Sequence, residues 1–409
     1  MEQATRVANL QAALKRVEKN AGSPGIDGMR ADELRLWLRK NWKDLVRALL
    51  DETYRPQAIR RHEIGKDGGG IRVLGIPTVL DRFIQQALLQ VLQPILDPGF
   101  SDHSYGFRPG RSAHDAVRRA RGYIQAGRQV VVDVDLEKFF DRVNHDVLMG
   151  RLARKIDDKR VLRLIRGYLS AGMMTEGVVI EREDGTPQGG PLSPLLANVL
   201  LDEVDKELER TGHAFVRYAD DCNVYVQSKR AGERVMERLT KLYGKLRLRI
   251  NPDKSAVASA FTRDFLGFGF WATTGGEVRV RVSKKALRKL KARVRKLTRR
   301  NGGQSLAQVA QVLSKYLNGW RAYFGRAQVP GIKGRLDEWI RHRLRVIQLK
   351  QWKRGTTAYD ALRALGADRD TAIGVAMNLR HWWRTAARLT HVVLTNRFFD
   401  ELGIPRLAT

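Results

Sequence analysis

Two aspartates stand side by side at 220 and 221 within a strand-forming run, Ala214-Phe-Val-Arg-Tyr-Ala-Asp-Asp-Cys-Asn-Val-Tyr-Val226. Adjacent carboxylates repel, and burying such a pair is costly unless a cation holds it. Apolar and β-branched residues on both sides fit two strands that meet at a tip. An Asp-Asp tip between strands is a place to hold a divalent ion, because hard cations take oxygen ligands. The plainer alternative is a solvated turn, since Asp is a common turn residue. A third acid should then approach from a neighbouring strand. The run Gln129-Val-Val-Val-Asp-Val-Asp135 offers Asp133 and Asp135, two apart and therefore on one face. Asp135 ends the apolar run, which leaves its side chain and the Leu136 carbonyl at the sheet's edge beside the tip. Three carboxylates around two Mg2+ ions fit phosphoryl transfer at a nucleotide.

The rest of the composition points the same way. Lys and Arg number 75 against 44 Asp and Glu, a formal charge of +31. Such an excess repels itself unless a polyanion is present, so nucleic acid is the natural partner. No apolar run approaches the length of a membrane span, and 1–20 mixes Glu2, Arg6, Lys15 and Glu18 in a helical pattern unlike a signal peptide. The single cysteine, Cys222, excludes an intramolecular disulfide and a cysteine-based zinc site. A reduced, soluble, cytoplasmic protein without a membrane partner is expected. With 409 residues, 43% of them hydrophobic, two or three domains with a substantial core are expected.

Periodicity predicts helices within 1–50, where Leu10, Leu14 and Val17 recur at helical spacing, and over 85–96, 144–168, 194–209 and 232–246. A β-hairpin is expected over 57–76, with Asp67-Gly-Gly-Gly70 at its bend. Helices interleaved with an antiparallel sheet give an α+β architecture. Near 281 the character changes. Residues 284–300 hold ten basic residues in seventeen positions and no acid. Their apolar members Leu287, Leu290, Val294 and Leu297 form one helical stripe, so the other faces are cationic. A second helix over 335–354 packs through Leu336, Trp339, Ile340, Leu344 and Ile347. The tail, 361–409, adds Trp382, Trp383, Arg384 and Arg397, whose indole and guanidinium groups can stack on bases.

These residues resemble a known family. Tyr218-Ala-Asp-Asp221, Asp135-Leu-Glu-Lys-Phe-Phe140 and Thr186-Pro-Gln-Gly-Gly-Pro-Leu-Ser193 are similar to the palm motifs of reverse transcriptases. Their wording resembles that of group II intron-encoded proteins, most closely the bacterial class IIC type. Further matches are Gly22-Ser-Pro-Gly-Ile-Asp-Gly28, Ser104-Tyr-Gly-Phe-Arg-Pro-Gly-Arg-Ser112, Ile250-Asn-Pro-Asp-Lys-Ser255 and Phe265-Leu-Gly-Phe-Gly269. Tyr316-Leu-Asn-Gly-Trp-Arg-Ala-Tyr-Phe324 resembles the maturase region that serves as thumb. The ordered set carries the resemblance; each motif alone is weak.

The resemblance implies a right-hand polymerase, with fingers and palm over 1–280, a helical thumb over 281–360 and a basic tail over 361–409 that is a candidate DNA-binding segment. Asp135, Asp220 and Asp221, with the Leu136 carbonyl, would hold two Mg2+ ions, for which Mn2+ is a substitute. Phe140 would be the steric gate against a ribose 2′-OH, which disfavours an RNA-making polymerase. Gln188 would lie against the incoming sugar, and Gly189 and Gly190 would allow close backbone approach at the template and primer. Lys66 and Arg72 would meet the dNTP triphosphate, Lys254 would support the palm nearby, and Arg108 and Arg111 would contact the template. Gly65 and Asp67 stand where the closest members tend to have prolines. The expected reaction is RNA-directed DNA synthesis, with splicing assistance as a maturase. The partners would be group II intron RNA, an RNA template with a DNA primer, target DNA and dNTPs. A splicing-only RNA-binding maturase and a domesticated repair polymerase are the alternatives. With one cysteine, the chain is expected to lack the HNH endonuclease of longer members. His114 and His145 show no paired metal spacing and read as helix-surface or packing residues.

Overall fold

The computed structural model describes residues 1–65, 69–175, 178–180, 184–186, 189–328, 331–389 and 393–408. The chain divides into two compact units, Met1–Arg263 and Asp264–Thr409. In the first unit the strands are β1 (Ile59–Gly65), β2 (Ile71–Ile76), β3 (Val130–Val134), β4 (Met173–Thr175), β5 (Val178–Ile180), β6 (Ala214–Tyr218), β7 (Asp221–Val226) and β8 (Ala256–Ser259). The second unit adds β9 (Asp264–Phe265), β10 (Phe268–Ala272) and β11 (Val278–Val282). Helices fill the rest, so the fold is α+β.

Two sheets organise the first unit. One is mixed, in the order β2-β1-β4-β5, with β1 antiparallel to β2 and parallel to β4. The expected hairpin is present, and its bend at 66–68 lies outside the described residues. The other sheet, in the order β6-β7-β3-β8, is antiparallel throughout. Its register pairs Val132 with Val224, Asp133 with Asn223 and Val134 with Cys222. Side chains alternate along a strand, so one face carries Val132, Val134, Cys222, Val224 and Val226, all buried. Helices Ser193–Arg210 and Lys229–Lys245 cover this face. Gly232 is needed there, because a Cβ would stand 2.5 Å from Val257. The opposite face carries Asp133, Asn223 and Tyr225, and the next positions on it are Asp135 and Asp221.

Helix Ala113–Gln125 closes the lower end of that second face, with Tyr123 5.9 Å from Tyr225 ring to ring. A capping box starts this helix: Asp115 N donates to Ser112 Oγ (3.3 Å) and Ser112 N donates to Asp115 Oδ2 (3.0 Å). The upper end of the face is left to the carboxylates.

The edge strand β6 is held from behind by an ion pair with no access to water. Arg217 and Asp205, the latter from helix Ser193–Arg210, are both 0% exposed. Arg217 Nε donates to Asp205 Oδ1 at 2.8 Å and Nη2 to Oδ2 at 2.5 Å. The main chain of Arg217 pairs outward as well, accepting from Tyr105 N and donating to His103 O, each at 2.9 Å.

In the second unit the sheet β11-β10-β9 belongs with the helices that follow it, so the division falls at Arg263, ahead of the compositional change near 281. The basic stretch forms helix Lys284–Leu297, followed by Leu306–Phe324 and Ile332–Trp352. Residues 361–389 and 393–408 are folded into this unit. Phe399, Leu394, Ile404 and Leu407 are buried, and Asp337 accepts from Leu407 N (2.9 Å) and Ala408 N (3.0 Å). Buried Arg341 ties the same segment through Asp400 at 2.6 Å. Among the described residues no helix is long and apolar enough to cross a membrane.

Removing one partner of a buried ion pair leaves an uncompensated charge, at a cost of about 3–5 kcal/mol. Asp205→Ala is therefore expected to lose about that much unfolding free energy, measured by chemical denaturation. A loss below about 1 kcal/mol would mean that water reaches Arg217.

Candidate active site and cationic surface

The two aspartates do sit at a hairpin tip. Tyr218 pairs with Asp221, so Ala219 and Asp220 form the turn between β6 and β7. Ala219 is left-handed at φ 58° and buried, a conformation costing an L-residue roughly 1–2 kcal/mol. Two neighbours hold it. Arg217 Nη1 donates to the Ala219 carbonyl at 2.9 Å. Gly106 lies so close that a Cβ there would stand 2.2 Å from Ala219 N.

Across the sheet, Val134 pairs with Cys222, which sets Asp135 one position on, at the height of Asp221. The main chain of Asp135 is fixed by the Ile250–Ser255 motif. Asn251 N donates to Asp135 O at 2.8 Å, and Ser255 Oγ accepts from Asp135 N at 3.0 Å. Buried Leu136 continues this contact through a bridge to Ile250. Lys254 brings its Nζ to 3.2 Å from Asp135 Oδ1, across a contact in which the lysine is 64% exposed. The alternative acid, Asp133, is already engaged. Arg263 Nε donates to it at 2.8 Å, and the Asn223 amide donates to its other oxygen at 2.9 Å.

Asp221 reaches solvent, yet protein crowds it and its carboxyl is pushed up to about 7. Loss of hydration is the largest cause, followed by the charges of Asp220, Asp135 and Asp133, with Lys254 opposing. Among the described residues no three His, Cys, Asp or Glu side chains are gathered tightly enough to enclose an ion on their own. The donors are nevertheless hard oxygens with unbalanced negative charge, the chemistry that suits Mg2+ or Mn2+ when substrate phosphates complete the shell.

Phe140 is half-buried in a short helical turn, its ring 5.0 Å from that of buried Phe139 and edge-on to it. Its carbonyl accepts from Thr186 N at 2.7 Å, and Val143 O accepts from Gly185 N at 2.7 Å. His145 is a buried packing residue, bonded at 2.8 Å to Gly185 O. Gly185 and Thr186 are thus docked beside Phe140; Gln188 lies outside the described residues, as does Lys66. Arg72 holds a β2 position paired with Ile64. Gly189 and Gly190 are required by the protein's own packing: a Cβ would meet Gly75 O at 2.2 Å and Gln85 Oε1 at 2.3 Å respectively.

Arg108 is buried, donates to Asp97 Oδ1 (2.9 Å), Asp97 O (2.9 Å) and Ser104 O (3.1 Å), and stacks on Phe100. Its donors shape the loop 97–108 and are not directed at a template. Arg111 is bound to Asp102 at 2.6 Å and keeps a quarter of its side-chain surface exposed.

The second unit gathers cations around indoles. Arg295 and Arg343 lie over Trp339 at 5.7 and 5.5 Å, and Arg300 and Lys350 lie over Trp382 at 5.3 and 5.2 Å. Burial, then Arg295 and Arg300, lower the pKa of Arg343. Trp383 is 53% exposed beside them in sequence.

Residues 64–270 match the family described as reverse transcriptase (RNA-dependent DNA polymerase), and residues 287–366 match the group II intron maturase-specific domain. Protein YkfC of Escherichia coli K12 is 32% identical over 58% of this chain and 73% of its own. The group II intron-encoded protein LtrA of Lactococcus lactis subsp. cremoris is 35% identical over 57% of this chain. That match spans only 39% of LtrA. A partial Cas6-RT-Cas1–Cas2 complex is 27% identical with a TM-score of 0.38, over 59% of this chain and 42% of that one.

A carboxyl raised above its unfolded value costs stability wherever the unfolded chain ionises it, and the cost grows with pH until the native state ionises too. For Asp221 the cost is nearly absent at pH 4 and complete above about 7. With divalent ions chelated, Asp221→Asn is expected to raise the melting temperature at pH 8 and to change it little at pH 4. An equal change at both pH values in thermal melts would mean that charge crowding does not set this carboxyl.

Proposed function

The chain belongs to the reverse transcriptases, with a group II intron maturase-specific domain behind the polymerase region, and on that premise we propose that it copies RNA into DNA and assists splicing of its intron. The observation that carries the reading is the strand register that brings Asp135 level with Asp221 beside the Asp220 turn. In this reading Asp135, Asp220, Asp221 and the Leu136 carbonyl hold two Mg2+ ions, with dNTP phosphates completing their shells. Bound there, the ions would supply Lewis-acid activation of a primer hydroxyl and neutralise the leaving pyrophosphate.

The protein's own groups do the rest. Asp133 is neutralised by Arg263 and stays out of the ion site. Lys254, held at Asp135 by an exposed contact, is free to turn its ammonium to the triphosphate, alongside Lys66 and Arg72. Phe140, fixed through Phe139 and Thr186, blocks a ribose 2′-OH while Gln188 meets the sugar. An RNA–DNA duplex and folded intron RNA would lie on cationic surfaces, read through their backbones and weakened by salt. The crowded cations around Trp339 and Trp382 support that role for the second unit. Arg111, still partly exposed, is retained as a template contact.

Primer extension on an RNA template with Mg2+ and dNTPs tests the reading. Asp220→Ala is expected to lower synthesis by at least about 10³-fold, a scale typical of losing a principal electrostatic group, with RNA binding retained. Comparable synthesis by wild type and mutant would remove Asp220 from the site. Phe140→Ala is expected to admit rNTPs, narrowing the preference for dNTPs by about 10- to 100-fold. Unchanged sugar selectivity in competition assays would assign the gate elsewhere.

A further inference from the structure

We propose that Arg217 is a positioning residue for the Asp220 turn, setting where the carboxylates stand through the Ala219 carbonyl. The proposal deepens the polymerase reading and rests on it. Arg217 points away from the carboxylates, into the helix-covered face of the sheet, so it touches no reacting atom. Its guanidinium divides its work. Nε and Nη2 go to Asp205 on helix Ser193–Arg210, while Nη1 goes to Ala219 O (2.9 Å) and Asn198 Oδ1 (2.9 Å). Asn198, also buried, donates its amide to Gly106 O at 2.9 Å. Gly106 in turn packs its α-carbon against Ala219 N and the Tyr218 carbonyl carbon.

The turn is therefore gripped twice, by a hydrogen bond from Arg217 and by contact from Gly106, and Asn198 joins the two grips. Both originate on the same helix face, Asn198 and Asp205 lying seven positions, two helical turns, apart. A planar fork can satisfy Asp205 with one edge and the turn with the other. A lysine ammonium at the same position can pair with Asp205 but cannot span both. The left-handed Ala219 makes the grip consequential, since that residue gains by relaxing toward ordinary φ once released.

The decisive variants are Arg217→Lys, Gly106→Ala and Asn198→Ala. Each is compared with wild type for melting temperature, primer–template binding, single-nucleotide kcat and KM, and Mn2+ affinity of the protein alone by calorimetry. Arg217→Lys is expected to bind primer–template normally, lose about 10- to 100-fold in kcat with little change in KM for dNTP, and bind Mn2+ severalfold more weakly. Gly106→Ala, which presses on the turn from the other side without touching the ion pair, is expected to shift kcat and Mn2+ affinity in the same direction. A folded Arg217→Lys with wild-type kcat and Mn2+ affinity would overturn the proposal. So would losses that track the unfolded fraction alone. Should Arg217→Lys fail to fold, Asn198→Ala decides, because it keeps the ion pair and removes the side chain through which Arg217 and Gly106 are joined. Unchanged kcat and Mn2+ affinity in that variant would overturn the proposal. A wild type unable to copy RNA would end the polymerase reading, and Mn2+ affinity would then judge the positioning role by itself.

Discussion

A guanidinium and a carboxylate sealed from water behind a β-sheet hold the most sensitive part of this molecule in shape. Arg217 and Asp205 are worth little as a source of stability, since a well-packed apolar pair of similar volume serves as well or better. What they supply is direction. An apolar contact between β6 and its helix would tolerate sliding, whereas the guanidinium fork fixes both distance and angle. The strand so fixed ends in the turn that carries Asp220, and its outer edge pairs with the 103–105 segment. Much of the carboxylate geometry on the open face is thus decided on the closed one.

The arrangement on the open face follows from the same sheet. Three acids, Asp133, Asp135 and Asp221, project there, and the protein treats them unequally. Asp133 is met by Arg263 and Asn223. Asp135 has only an exposed lysine against it, and Asp221 is left with more like charge around it than opposite charge. A protein with so large an excess of Lys and Arg could have neutralised all three. It compensates the one set deeper on the face and leaves the charge concentrated near the turn. In the second unit Arg295, Arg300, Arg343 and Lys350 are packed against tryptophans instead.

Much of this was legible in the sequence where local pattern and chemistry coincide. The Asp-Asp tip, the Asp135 strand, the hairpin over 57–76 and the basic helix near 284 each have a period or a turn signal of their own. What was not legible is which partner a side chain meets once the chain has folded. Arg108 reads as a template contact because a loop arginine advertises only its charge; Asp97 and the carbonyls that occupy it come from eleven and four residues away with no pattern linking them. Helix Ala113–Gln125 has a capping box that was there to be read. The run 144–168, continuous by periodicity, is two helices, His145–Leu152 and Lys159–Ser170. Gly189 and Gly190 owe their identity to Gly75 and Gln85, contacts that exist only after folding. Arg217 looked like one more basic residue beside the motif, since burial is not written in a single letter.

Cys222 occupies the helix-covered face beside Arg217, one position beyond Asp221, fully buried. Loss of hydration pushes its thiol up to about 12, so at neutral pH almost none of it is thiolate, the form that oxidants and alkylating agents attack. The alternation of a β-strand thus does a second service. It turns the carboxylates toward the open face and the only thiol in the chain toward the interior, away from oxidants and alkylating agents in solvent.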